Sequence, residues 1–155
     1  MRLKFFGLVV GLAICAVAGA ATLVPVSTAD LVSRATLVVT GTVDEVTSQP
    51  PDADGVIYSE ARVRVRDAVV GGTADEYVVV RYMGGEHGGL AFVVTAEPTF
   101  EVGEEVVLFL APAAEGVYKC PDGVQGKLSV VDGTVLPAGL TLSDYLAEVA
   151  AAAGR

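Results

Sequence analysis

The sequence has few of the residues from which metal and catalytic sites are usually built. It contains one histidine, two cysteines and no tryptophan among 155 residues. A zinc site needs three or four Cys, His or carboxylate ligands, and this composition offers almost no material for one. Basic residues are also few, ten against nineteen acidic ones. The sequence therefore predicts no nucleic-acid partner, because phosphate binding depends on clustered Lys and Arg.

The chain is nevertheless apolar enough to fold. Hydrophobic residues make up 52% of it and charged residues 19%, which excludes an intrinsically disordered protein. The length suffices for one ordinary domain and not for two. We expect a single domain over residues 21–155.

Residues 1–20 are expected to be a secretory signal peptide. A short basic start precedes an apolar stretch over 5–17, and small residues at A-x-A spacing follow at 18–20. An uncleaved anchor is the alternative, since the apolar run over 5–21 approaches the length that spans a bilayer. The sequence thus predicts export to the periplasm, the cell surface or the medium. Membrane contact is expected only if the signal segment is retained.

Cleavage after Ala20 leaves a more acidic chain with one cysteine. It removes Arg2 and Lys4 but no acidic residue, so the net charge changes from −9 to −11. It also removes Cys15 and leaves Cys120, which excludes an internal disulfide. We expect the Cys120 side chain to be a small, partly buried apolar group. An intermolecular disulfide or a reactive thiol is the alternative.

Most of the remaining sequence predicts short strands separated by Gly, Pro and Asp. The clearest is 61–66, in which apolar residues alternate with three arginines. The segment 105–110 is apolar on both faces, so we expect it to be central in the sheet. Further strands are predicted at 36–43, 77–82, 90–94, 117–119, 127–131 and 134–136, with hairpin connections at 48–55, 121–123 and 132–133.

Helices are predicted only near the two ends of the mature chain. Ser27 or Thr28 suits the N-cap of a short helix, and Asp30 lies in its first turn. Thr141 and Asp144 form a variant of the capping box before an apolar stripe at helical spacing. The predicted fold class is therefore mainly β, a small antiparallel β-barrel of about six to eight strands with a short N-terminal helix and a C-terminal helix. A closed barrel is favoured over a sandwich because closure removes unpaired edges.

Several apolar patterns with glycines resemble a family of uncharacterised exported prokaryotic proteins. They are DLV at 30–32, ATLVVTGTV at 35–43, RDAVVG at 66–71, FEVGEEVVLFL at 100–110 and QGK at 125–127. The resemblance covers residues 28–149 and implies a small, OB-like β-barrel that occurs alone or next to matrixin-like metalloprotease domains. It implies no activity. The chain has no H-E-x-x-H motif, so protease chemistry is not expected in it.

His87 is the only histidine and lies in the glycine-rich segment 84–89. Contact with a ligand is one interpretation, since glycines let a partner approach the backbone closely. A flexible loop tip is the other. As a general base or a metal ligand, the imidazole would need partners that the sequence does not identify.

Two further groups of charged residues are candidates for binding. Asp52 and Asp54 resemble the first half of a calcium loop, but the other ligands of an EF-hand are missing, so a solvated hairpin loop is favoured over a weak calcium site. Arg62, Arg64 and Arg66 form a stripe that suits an anionic glycan or a lipid head group. Because acidic residues outnumber basic ones, cross-strand ion pairs are the favoured use of this stripe. The acidic candidates are Asp44, Glu45, Glu104 and Glu105.

The sequence favours an exported, non-enzymatic module that acts by binding, without a cofactor, to an extracytoplasmic protein or polysaccharide. The first alternative is an accessory or regulatory domain associated with a secreted metalloprotease, which only the resemblance suggests. The second alternative is a small hydrolase that uses His87 with an acidic residue. These hypotheses differ in the surface they require: a binding patch, a contact with a protease, or a pocket around His87.

Overall fold

A computed structural model describes residues 24–72 and 75–154, so the predicted signal peptide over 1–20 lies outside the described residues. The helices are α1 (Thr28–Arg34), α2 (Leu142–Ala152) and a 3₁₀ turn at Gly123–Gly126. The strands are β1 (Leu37–Ser48), β2 (Tyr58–Val70), β3 (Tyr77–Met83), β4 (Gly85–His87), β5 (Leu90–Phe92), β6 (Glu105–Ala114), β7 (Val117–Lys119), β8 (Lys127–Val131), β9 (Thr134–Leu136) and β10 (Leu140–Thr141). Among the described residues, no helix has the length and apolar character needed to cross a membrane.

Five of the strands close into a ring. β1 pairs with β2, β2 with β3, β3 with β7, β7 with β6, and β6 again with β1. β8, β9 and β10 extend the sheet outward from β6, while β4 and β5 form a separate two-stranded hairpin. The prediction of a mainly β fold with a short N-terminal helix and a C-terminal helix is confirmed.

The structure corrects the predicted barrel in two respects. The sheet is mixed and not wholly antiparallel, because β3 and β7 run parallel. The described residues form ten strands where about six to eight were expected. The additional strands, β4 and β10, are only three and two residues long, too short for an alternating pattern to reveal them.

The hairpin predicted at 121–123 is also wrong. β7 pairs with β6 and β3, whereas β8 pairs with β6 and β9. The intervening residues form the 3₁₀ turn, which carries the chain past β6. The Asp-Gly hairpin between β8 and β9 is confirmed, with Asp132 at φ 50° and Gly133 at φ 76°, as a tight two-residue turn requires.

Two apolar cores lie on opposite sides of β1 and β6. Val106, Leu108 and Leu110 of β6 point into the ring, while Val107 and Phe109 pack on the other side with residues of α1 and α2. All five side chains have an exposed fraction of 0%. The central position predicted for this strand is therefore confirmed, and its apolar character on both faces follows from the presence of two cores.

Gly41 allows β1 and β2 to approach each other closely. A Cβ atom at this position would lie 2.1 Å from the carbonyl oxygen of Arg64. The register between the two strands shifts between Thr40 and Gly41, and such irregularities increase strand bending. β1 can thereby pair with β6 over residues 37–42 and with β2 over residues 38–48.

Both helices begin with the predicted caps. The Ser27 hydroxyl accepts a hydrogen bond from the Asp30 amide at 3.1 Å, and the Thr141 hydroxyl accepts one from the Asp144 amide at 3.2 Å. Leu31 of α1 and Val149 of α2 belong to the core formed with β1, β6, β8 and β9. The helices therefore cover that side of the sheet, including the end of β2 at Val69 and Val70, whereas the outward side of β3 and of β2 over residues 58–64 is left open.

Candidate binding face

The outward side chains of β2 and β3 form a face that no described helix covers. The alternation that predicted β2 sends Ala61 and Val63 into the ring and their neighbours outward. β3 does the same with Val78 and Val80. We call the outward set the open face. It consists of Tyr58, Glu60, Arg62, Arg64, Tyr77, Val79, Arg81 and Met83.

Register across the two strands places opposite charges together at the centre of the open face. Glu60 lies directly opposite Arg81. One carboxylate oxygen, Oε1 of Glu60, accepts hydrogen bonds from Nη2 of Arg81 at 2.6 Å and from Nε at 3.0 Å. Both side chains are partly exposed, at 27% and 45%. The pair is therefore preorganised and accessible to a ligand.

The arginine stripe is largely used within the protein. Arg64 donates to Oδ2 of Asp44 at 2.7 Å and 3.1 Å, and this hydrogen bond raises the pKa of the Arg64 guanidinium. Arg66 lies 2.5 Å from Glu105. The predicted pairing with a neighbouring strand is thus confirmed for Arg64, whereas Arg66 reaches past β1 to Glu105 on β6. Each has a carboxylate partner and is less available to an anionic ligand.

Arg62 behaves differently from its two neighbours. Its guanidinium carbon lies 3.8 Å from the centroid of the Tyr77 ring, a cation–π contact at close range. This diagonal contact depends on the register between β2 and β3, since Tyr77 lies opposite Arg64 and not Arg62. The contact holds an aromatic ring and a cation in fixed positions at one end of the open face.

Two shallow hollows meet at Tyr58 and Arg81. The first has a volume of about 430 Å³ and lies beside the β1–β2 loop. The second has a volume of about 170 Å³ and reaches toward β6 and β7. The first is completed by Gln49, Pro50, Asp52 and Glu60, and the second by Tyr82, Met83, Glu97, Ala113, Lys119 and Cys120. The two hollows adjoin at the side chains of Tyr58 and Arg81, which line both of them.

Asp52 and Asp54 lie in the loop that borders the first hollow. Oδ1 of Asp52 accepts hydrogen bonds from the amides of Asp54 at 3.0 Å and Val56 at 2.9 Å. The carboxylate therefore shapes its own turn. Over residues 24–72 and 75–154, no group of three or more His, Cys, Asp or Glu side chains is placed to hold a metal ion.

His87 does not belong to the open face. It lies at the end of β4, exposed, with Nδ1 3.3 Å from the carbonyl oxygen of Ser48. Among the described residues this carbonyl is the hydrogen-bond partner of the ring. An open hollow of about 400 Å³ at this hairpin is lined by His87 together with Glu86 and Leu90. The hydrogen bond of the ring goes to a backbone carbonyl and not to a hydroxyl nucleophile or a carboxylate, the partners that a general base requires.

A chain of hydroxyl groups fixes the base of the β4–β5 hairpin. Ser59 donates to the Gly84 carbonyl at 2.6 Å, and its oxygen lies 2.8 Å from the Ser48 hydroxyl. A Cβ atom on Gly85 would lie 2.2 Å from the Ser59 hydroxyl oxygen. Because these hydroxyls are used in this way and Gly85 packs directly on them, we assign them a structural role.

Cys120 lies beneath the second hollow with an exposed fraction of 8%. Burial raises the pKa of its thiol to about 12, and the nearby Glu97 carboxylate acts in the same direction. The thiolate, which is the reactive form, is therefore disfavoured at neutral pH. The expectation that Cys120 is a small, buried apolar group is confirmed. Its burial and its raised pKa argue against a reactive thiol.

A second concave surface lies between the helices, at about 500 Å³. Gln125 closes one side of it, because its amide group accepts from the Val26 amide at 2.8 Å and donates to the Val24 carbonyl at 3.0 Å. Leu31, Leu128 and Pro137 add to a mainly apolar lining. Its polar groups are occupied by the protein itself, so we regard it as the lesser candidate.

Sequence reasoning did not identify the centre of the open face. It selected Arg62, Arg64 and Arg66 but not Tyr58, Glu60 or Arg81. The signal that was available is the alternation in β2 and β3, which puts aromatic and charged residues on the same side of each strand. Which of them meet depends on the register, which the sequence does not state.

No known family model matches the chain. No curated protein matches it either. The function is therefore inferred from the geometry of the open face.

Proposed function

We propose that the protein is an exported, OB-like barrel module that binds an extracytoplasmic protein or polysaccharide on its open face. The order of the ring strands supports the OB-like assignment. Numbered within the ring, the strands follow the order 1-2-3-5-4 and return to 1. An OB-fold is a five-stranded Greek-key barrel that binds ligands on strands 2 and 3 and on the loops between strands 1 and 2 and between strands 4 and 5.

The observation that carries this proposal is the coincidence of the two hollows with that surface. Tyr58 and Arg81, which line both hollows, belong to ring strands 2 and 3. Gln49, Pro50 and Asp52 come from the loop between ring strands 1 and 2. Ala113 and Lys119 come from ring strands 4 and 5. This analogy concerns the fold, and the aromatic and charged groups of the site support it chemically.

Two further features support an extracytoplasmic partner that is not a nucleic acid. The basic and apolar pattern of residues 1–20 favours export. The net charge of −9 repels phosphate backbones. Among the alternatives, the hydrolase has less support because His87 faces a backbone carbonyl. Association with a metalloprotease rests on the sequence resemblance alone.

Binding by the open face is tested with the double variant Tyr58→Ala, Arg81→Ala. The full-length protein is immobilised and exposed to separated protein and polysaccharide fractions from the cell envelope and medium. We expect retention of a component that the double variant does not retain. The variant Arg66→Gln serves as a control, because it breaks an exposed ion pair of β2 outside the hollows. Equal retention by all three proteins would rule out the open face.

A further inference from the structure

We infer that the ligand of the open face is a neutral oligosaccharide chain that passes through both hollows and stacks on Tyr58. The inference rests on the proposed function of this face and specifies its ligand class. It is argued from the charge balance, the central ion pair and the shared aromatic ring.

The charges are balanced where the two hollows meet. Glu60 pairs with Arg81 there, whereas Arg62, which packs on Tyr77, lines neither hollow. The other charged side chains that line the hollows are Asp52, Glu97 and Lys119, so this part of an otherwise acidic protein presents no strong potential of either sign. Such a surface gives little electrostatic gain to an anionic or a cationic ligand and suits an uncharged one.

The ion pair between Glu60 and Arg81 also favours a sugar over a protein. The centre of a protein interface is depleted of Glu, Asp and Lys and excludes water. Sealing this exposed pair under an apolar core would cost desolvation energy. Sugar hydroxyl groups can both donate to the carboxylate and accept from the guanidinium, so they replace the water molecules that they displace.

Tyr58 supplies an aromatic surface for the C–H groups of a sugar, which hydroxyl groups do not contact by hydrogen bonding. Its half-buried ring stands between the hollows and lines both of them. The C–H groups on one side of a sugar ring carry slight positive charge and pack on the negative face of an aromatic ring. With one sugar ring bound in each hollow, successive sugar units would lie on either side of Tyr58.

Side chains with amide, carboxylate and ammonium groups border the two hollows. Gln49 and Asp52 border the first hollow, and Glu97 and Lys119 border the second. Amide, carboxylate and ammonium groups supply both donors and acceptors for hydroxyl groups. We therefore expect affinity to rise from a single sugar to a chain that fills both hollows.

The inference is tested by measuring binding of the full-length protein to defined neutral and anionic oligosaccharides and to an unrelated peptide library. We expect a neutral oligosaccharide to bind, and Tyr58→Ala to weaken this binding by about tenfold because the stacking contact is lost. Arg66→Gln lies outside the hollows and is the control, which should bind within about twofold of the wild-type protein.

The remaining outcomes separate this inference from the proposed function. Binding of peptides or proteins that is lost in Tyr58→Ala, with no binding of neutral oligosaccharides, would overturn the inference and leave the open face as the binding site. Preference for anionic oligosaccharides would overturn the inference in the same way. Binding of oligosaccharides that Tyr58→Ala and Arg81→Ala do not change would overturn both. Thermal unfolding of each variant establishes that it is folded.

Discussion

Glu60 and Arg81 face each other across β2 and β3, joined by hydrogen bonds of 2.6 Å and 3.0 Å to one carboxylate oxygen. The two donors on a single carboxylate oxygen orient the guanidinium plane without burying it. Two hollows open on either side of the pair, and Tyr58 lines both. Under the proposed function, this pair orients a ligand more than it holds the fold together.

A double-mutant cycle on this pair tests that distinction. Arg81→Ala, Glu60→Ala and the combined variant should give a coupling free energy of about 0.2–1 kcal/mol in urea unfolding, as is typical of exposed ion pairs. The coupling should decrease at high salt because the pair is accessible to counterions. A coupling of several kcal/mol would show that the pair is structural and would weaken the case for a binding role.

Two buried hydroxyl groups are predicted to respond oppositely to removal. Thr40 has an exposed fraction of 0%, and its hydroxyl has no hydrogen-bond partner within the described residues. Thr40→Val should stabilise the protein by about 1 kcal/mol in urea unfolding, because the unpaired group is expensive to bury. A loss of stability in this variant would mean that the hydroxyl has a partner.

Ser59→Ala is the matched comparison, because Ser59 is equally buried but donates to the Gly84 carbonyl at 2.6 Å. This variant should lose about 1–3 kcal/mol of unfolding free energy, since the carbonyl is left unpaired. Amide exchange in β4 and β5 should accelerate at the same time, because Ser59 anchors the base of that hairpin. If amide exchange in β4 and β5 did not change in this variant, the Ser59 hydroxyl would not be the anchor of that hairpin.

Gly41→Ala tests the close approach of β1 and β2. The added Cβ would lie 2.1 Å from the Arg64 carbonyl oxygen, so the strands must separate. We expect a loss of about 3 kcal/mol or more, in the range of the most disruptive substitutions. Gly133→Ala is the control, since nothing lies within 4 Å of its Cβ position, and its left-handed backbone should cost only about 1 kcal/mol. Equal losses would contradict the close approach.

Alkaline pH is predicted to destabilise the protein through Cys120. Burial raises the pKa of this thiol from the ordinary 9.0 to about 12 in the folded state. The folded state therefore binds more protons than the unfolded state between these values, and stability falls as the pH rises through this window. Burial raises the pKa of Tyr82 and Tyr145 as well, which adds to the loss above the ordinary tyrosine value of 10.0.

Urea unfolding at about pH 7 and about pH 10 measures this loss, which for the thiol alone should be on the order of 1 kcal/mol. Cys120→Ala should be less stable than the wild-type protein at neutral pH because a cavity remains. It should lose less stability between the two pH values, since the titrating group is gone. An equal loss in both proteins would assign the effect to the tyrosines.

Local sequence patterns predicted much of the fold, but they did not predict which strands pair when those strands are distant in the chain. The alternation over 61–66 and the doubly apolar segment 105–110 identified β2 and the central strand β6, because each pattern follows from the strand's own burial. The Asp132-Gly133 turn was predictable because its backbone geometry is local. β7 has only three residues, and its parallel partner β3 is distant in the chain, so no local pattern could reveal that pairing.

The candidate site shows the same division. Opposite charges on neighbouring strands were sufficient to predict the pair between Arg64 and Asp44. The contact of Arg62 with Tyr77 and the position of Tyr58 between two hollows depend on the register of β2 against β3. A shift of one residue would send these side chains to the other face. The candidate binding face could therefore be identified only in the folded structure.

Nuclear magnetic resonance of the isotopically labelled protein tests the central claim most directly, by mapping the residues that a bound neutral oligosaccharide perturbs. The account predicts that the shifted amide and side-chain signals cluster at Tyr58, Glu60, Arg81 and Lys119, with saturation at a single affinity. Signals of Leu31 and Tyr145, which line the concave surface between the helices, should stay in place. A cluster at those two residues, or no saturable shift in β2 and β3, would contradict the account.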